Sequence, residues 1–108
     1  MKKFFTFTSM EIASAFKHIY AKTFCQGLRL LETTLHQDND GTYGKLLIIT
    51  PRACGKAHER NLIKRQLRSI FYEEKLYQKP VTWILFVQKQ AIGLSFEQLK
   101  QFLCKSMQ

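Results

Sequence analysis

The chain has 108 residues, 45% hydrophobic and 13% aromatic, enough to bury one core and too few for two ordinary domains. Lys and Arg number 17 against 8 Asp and Glu, so a net charge of +9 sets up a positive field that excludes cationic partners and draws polyanions, nucleic acid first and an anionic membrane surface second. No run approaches the roughly 20 apolar residues of a membrane span and neither end carries a lipidation signature, so a soluble cytoplasmic protein without a membrane partner is expected.

The opening MKKFFTFTS sets lysines before phenylalanines, but Thr6, Thr8, Ser9 and Glu11 break the apolar run of roughly 7–15 residues that a secretory signal needs. It reads as part of the mature fold. Thr8 with Glu11 is a capping-box pair, and Ile12, Phe16, Ile19 and Tyr20 follow at helical spacing, which predicts a first helix from about residue 9 to Phe24. Gly27–Leu35 and Lys45–Thr50 read as strands of a hairpin, turned by the DNDG at Asp38–Gly41. Pro51 ends the second strand, and after Gly55 a long helix runs from about Lys56 to Tyr77. Val81–Gln88, β-branched and aromatic, reads as a central strand with Trp83 in the core. Ser95 with Gln98 caps a closing helix through Phe96, Leu99 and Leu103. The predicted order is α-β-β-α-β-α, a single α+β domain over residues 1–108 with helices on a small sheet.

Cys25, Cys54 and Cys104 are odd in number and widely spaced, without a C-x-x-C pair, which argues against a disulfide framework or a zinc site. Reduced thiols in a cytoplasm are the expectation.

The long helix carries the informative pattern. Lys56, Arg60, Lys64 and Arg68 recur every fourth residue, with Asn61 and Arg65 beside them. At about 100° per residue these share one side, and the apolar stripe of Ile63, Leu67, Ile70 and Phe71 adjoins it. A merely solvated face would intersperse both signs and gain from acid–base pairs one turn apart. Here the ladder repels itself, while Glu59, Glu73 and Glu74 lie elsewhere on the wheel. A polyanion that offsets the repulsion explains the arrangement better. The helix N-terminus and Arg52 just before it add to the same patch.

Other readings are weaker. His18, His36 and His58 join no carboxylate cluster, and HER at His58 lacks the second histidine of H-E-x-x-H, so a protein nuclease is not supported. The basic helix follows a strand without a short partner helix, which argues against a helix-turn-helix DNA binder, and no DNA partner is expected. A structural RNA-binding protein of ribosomal type is the competing class.

RNLIKRQLRSIF, following G-x-A, resembles the R-N-x-x-K-R-x-x-R signature of the bacterial ribonuclease P protein component, and chain length, charge and element order are similar to that family nearly end to end. The resemblance implies a fold like the second domain of ribosomal protein S5, with a left-handed crossover, against the right-handed sense of about 98% of such connections. It implies a partner RNA subunit that carries the active site and holds Mg²⁺, with no catalytic side chain in the protein, and precursor tRNA as substrate. By the resemblance, Arg60, Asn61, Lys64, Arg65 and Arg68 contact RNA, and the charge pattern adds Arg52 and Lys56 to the same surface. Phe16, Lys17 and Tyr20 would line a cleft for the single-stranded 5′ leader, although Phe16 and Tyr20 equally fit a core-facing helix. The chain departs from the family where Leu62 replaces a basic residue, where Thr50-Pro51-Arg52 replaces a more basic loop, and where Ile12 replaces an aromatic.

Overall fold

The computed structural model describes residues 5, 7, 9–17, 19–25, 27–33, 44–79 and 81–107, without the side chains of residues 14, 20, 21 and 25. The elements are α1 (Ser9–Lys17), β1 (Ile19–Cys25), β2 (Leu28–Thr33), β3 (Lys45–Ile49), α2 (Ala57–Glu73), β4 (Thr82–Val87) and α3 (Phe96–Met107), with 3₁₀ turns at Arg52–Cys54, Leu76–Gln78 and Lys89–Gly93. The α+β class stands, but the order is α-β-β-β-α-β-α.

The first helix stops at Lys17 rather than Phe24, and Ile19–Cys25 is a strand. Helical spacing of apolar residues continues across this boundary by coincidence. Ile19, Tyr20, Thr23 and Phe24 are β-branched or aromatic, and pairing with β2, from Ile19 against Thr33 to Cys25 against Leu28, decides the matter. Gly27 closes this hairpin at φ 83°, where a Cβ would lie 2.7 Å from the Ala91 nitrogen. Only glycine fits both requirements.

The expected hairpin between the first and second predicted strands, now β2 and β3, does not form, because the sheet order is β1-β2-β4-β3. β4 inserts between them, antiparallel to β2 (Leu28 opposite Val87) and parallel to β3 (Ile49 opposite Phe86). Its continuous apolar run, TWILFV, suits a strand covered on both faces. The Asp38–Gly41 turn and the Thr8 cap lie outside the described residues. β3 connects through α2 to the parallel β4, the strand–helix–parallel-strand connection that the resemblance implies.

α2 ends at Glu73, short of Tyr77, because Lys75 takes a left-handed conformation (φ 53°, ψ 37°) and the chain turns back through Leu76–Gln78. The predicted α3 cap is present: the Ser95 N–H donates to Gln98 Oε1 at 2.9 Å, and the Gln98 N–H to Ser95 Oγ at 3.2 Å.

Alternation along the strands divides the core. Leu28, Leu30, Leu46, Trp83, Leu85 and Val87 face Ile63, Leu67, Ile70 and Phe71 of α2 and Leu99 and Leu103 of α3. On the other face Leu31 and Ile84 pack against Ala15 of α1. The result is α1, sheet, then α2 with α3.

Candidate nucleic-acid interface

Two sites emerge, one on each side of the sheet. The first is α2. Its buried residues Ile63, Leu67, Ile70 and Phe71 anchor it along one stripe, as the spacing predicts. The opposite side carries Asn61, Arg65 and Arg68, all exposed, at intervals of four and three residues. Arg60 and Lys64 lie at the core margin and are half-buried, while Lys56 and Arg52 are exposed at the N-terminal end. The four-residue ladder therefore runs obliquely from the core margin towards solvent, and the stripe through Arg65 is the outermost part of the face.

Local bonds hold the N-terminal end. The Lys56 N–H donates to Glu59 Oε1 at 2.8 Å, so a carboxylate of the helix itself occupies part of the anion-attracting terminus. Arg60 Nε donates to the Gly55 carbonyl at 3.1 Å, which ties its guanidinium to the preceding loop. Gly55 itself is extended (φ 164°), so its conformation does not require glycine. Further along, the Arg68 guanidinium lies 5.7 Å from the centre of the Phe5 ring, and Phe5 packs edge-on against Phe71 at 5.6 Å. The N-terminal segment thus orients one of the basic groups. Leu62 is 45% exposed, leaving an apolar gap on the flank where the resemblance expects a charge.

The second site is the sheet face beneath α1. A short contact network fixes α1 across one end of this face. Thr33 Oγ1 donates to the Ala15 carbonyl at 2.7 Å, and Lys45 Nζ meets Glu11 Oε2 at 3.1 Å and stands 4.4 Å from the centre of the Phe7 ring. Lys45 is consequently buried and serves α1 rather than a ligand. At the other end the register lines up Phe24, Arg29, Phe86 and Ile49 across four strands on one face. Phe24 is 63% exposed and Arg29 exposed, and Phe16 of α1 reaches over to Phe86 at 5.9 Å while staying 41% exposed. Lys22, opposite Leu31, adds a charge to the neighbouring row.

This face corrects the expected cleft. Phe16 and Lys17 remain on α1, both exposed, but Tyr20 belongs to β1, so the i,i+4 helical face expected of Phe16 and Tyr20 is not formed. Lys22, Phe24, Arg29 and Phe86 were missed because Lys22 and Phe24 fell within the predicted helix. The period-two alternation of Lys22 with Phe24, and of Arg29 with Leu31, is the signal that could have found them. β3 leaves this face at Ile49 and leads, through Thr50 and Pro51, to the exposed Arg52 before α2. Arg52 therefore stands on the path between the two sites.

Among the described residues no three His, Cys, Asp or Glu side chains come together as metal ligands, and no helix is long and apolar enough to cross a membrane. Cys54 is buried. Cys104 lies 3.8 Å from Glu74 Oε1; burial first, then the Glu74 charge, raises its thiol above the ordinary range.

The family model for ribonuclease P matches residues 8–108. The ribonuclease P protein component of Phytoplasma australiense is 40% identical over 70 residues, 64% of this chain and 61% of that protein. That of onion yellows phytoplasma (strain OY-M) is 41% identical over 59 residues, 54% of this chain and 42% of that protein. The matched stretches thus span less than two thirds of these relatives' length. The fold resembles the RNase P protein of Staphylococcus aureus, with a TM-score of 0.76 at 18% identity over 96% of this chain and 92% of that one. The Thermotoga maritima RNase P protein gives a TM-score of 0.72 at 22% identity, over 90% and 88%. With the family pattern running across α1, the sheet, the basic helix and α3, the chain belongs to the ribonuclease P protein family.

Proposed function

We propose that this protein is the accessory subunit of ribonuclease P, docking through α2 on a catalytic RNA and holding the 5′ leader of precursor tRNA on the open sheet face. The observation that carries this reading is the exposed stripe of Asn61, Arg65 and Arg68 on a helix anchored by its opposite side. Such a face offers fixed cations to a phosphate backbone at little ordering cost. The row Phe24, Arg29 and Phe86, roofed by Phe16, has the alternating aromatic and basic character that suits an unpaired strand, since stacking tolerates every base and charge follows the backbone.

In this reading no protein side chain performs the cleavage. Mg²⁺ held by the RNA would supply the hard cation for phosphate oxygens and for an activated water. The protein's cations reduce repulsion between the two RNAs, an effect greatest at low Mg²⁺ and low salt.

The test is cleavage of a precursor tRNA by a bacterial ribonuclease P RNA at low Mg²⁺, with the protein, without it, and with Arg65 and Arg68 both changed to Glu. Restored 5′ processing by the unaltered protein alone supports the reading. Tight RNA binding without any effect on cleavage by any RNA subunit tried would favour a structural RNA-binding protein instead.

A further inference from the structure

The exposed stripe on α2 does not end with its charges. Tyr72 lies four residues beyond Arg68 and seven beyond Arg65, within about 40° of both on the helix wheel, and is 60% exposed. A lone tyrosine among charged residues carries no periodic signal in the sequence.

The ring is held from behind. Tyr72 lies 5.9 Å from Tyr77 with the planes 31° apart, Tyr77 lies 6.4 Å from Phe71, and Phe71 lies 5.9 Å from the fully buried Trp83. A chain of rings thus runs from the buried Trp83 to the exposed Tyr72. Tyr77 returns beneath Tyr72 because of the left-handed turn at Lys75, a conformation that costs an L-residue more than glycine. A lysine, exposed, occupies it.

The surrounding charges suit an anion. Arg68 precedes Tyr72 by one turn, and Lys75 and Lys79 follow, all exposed. The nearby acids turn elsewhere: Glu73 Oε1 accepts from Ser69 Oγ at 3.1 Å, and Glu74 is engaged by Lys100 at 3.7 Å.

We propose that Tyr72 is a base-stacking platform at the foot of the basic stripe, taking the face of one unpaired RNA base whose flanking phosphates fall on Arg68 and on Lys75 or Lys79. The assignment rests on α2 being an RNA dock, and adds that the docked RNA is unpaired at this end of the helix. An A-form duplex would meet only the cations, since its bases are stacked on one another.

The experiment measures binding of a short oligoadenylate and of an RNA duplex of the same length by the unaltered protein, Tyr72→Leu and Tyr72→Phe. Loss of one stacked base predicts about a tenfold weaker grip on oligoadenylate by Tyr72→Leu. The duplex affinity stays unchanged, and Tyr72→Phe, which keeps the ring, behaves as the unaltered protein. Equal oligoadenylate affinity for Tyr72→Leu and the unaltered protein, a parallel loss on both probes, or a loss in Tyr72→Phe overturns the proposal. Failure of the ribonuclease P reading would show differently, as absent stimulation of precursor-tRNA cleavage by the unaltered protein, whatever the oligoadenylate result.

Discussion

Arg60 Nε donates to the Gly55 carbonyl at 3.1 Å, so one guanidinium of the basic helix also closes the loop that precedes it. Arg60 is half-buried, whereas Arg65 is exposed at the centre of the stripe. The two arginines therefore separate stability from binding. Arg60→Ala should weaken RNA binding and also destabilise the fold by about 1 kcal/mol, the usual worth of such a bond. Arg65→Ala should weaken RNA binding with little change in Tm. Thermal unfolding followed by Trp83 fluorescence, beside RNA titrations, checks the pair.

Salt reads the number of phosphates neutralised. If about five are engaged, log affinity against log salt should fall with a slope of roughly −3.5 to −4.5, and Arg65→Ala should make it shallower by about one. A slope near zero would mean that the charges of α2 do not meet phosphates.

α1 depends on a part-buried ion pair, in which Lys45 is buried and Glu11 half-buried. Removing one partner leaves a desolvated charge, so Glu11→Ala, which strands the Lys45 ammonium, should cost on the order of 3 kcal/mol. Thr33→Val, which removes the bond to the Ala15 carbonyl, should cost about 1 kcal/mol. Urea unfolding of both variants would check the order of the two effects.

Gly27 tests the hairpin that the sequence concealed. Its left-handed φ and the backbone of Ala91 both oppose a side chain, so Gly27→Ala should destabilise by about 2 kcal/mol or more. Gly44→Ala should also destabilise, because its N–H donates to the Tyr77 carbonyl at 2.6 Å and a Cβ there would press into the Lys79 carbonyl.

Cys104 should be a slow thiol. Burial and Glu74 both disfavour its thiolate, so alkylation at pH 8 should lag behind that of a free cysteine, and Glu74→Gln should quicken it. Stability has a matching sign. With the folded thiol pKa raised, the contribution is complete below the unfolded thiol pKa and is lost as pH rises through the folded one. Mass-spectrometric mapping of alkylated Cys104, with and without Glu74→Gln, measures the reactivity directly.

The sequence by itself determined the α+β class, the basic helix with its anchoring stripe of Ile63, Leu67, Ile70 and Phe71, the apolar strand around Trp83 and the Ser95–Gln98 cap. These depend on residues within a turn or two of one another, or on one unbroken apolar run. Tertiary structure decided what depends on distant partners. Ile19–Cys25 carries an acceptable helical spacing and becomes a strand only because β2 lies alongside it. β4 takes the place between β2 and β3, where α2 and α3 pack on one face of its apolar run and α1 on part of the other. From those pairings comes the row of Phe24, Arg29 and Phe86, whereas the turn at Lys75 returns Tyr77 beneath Tyr72. Strand order and ring contacts reward residues far apart in the chain, and no local pattern records them.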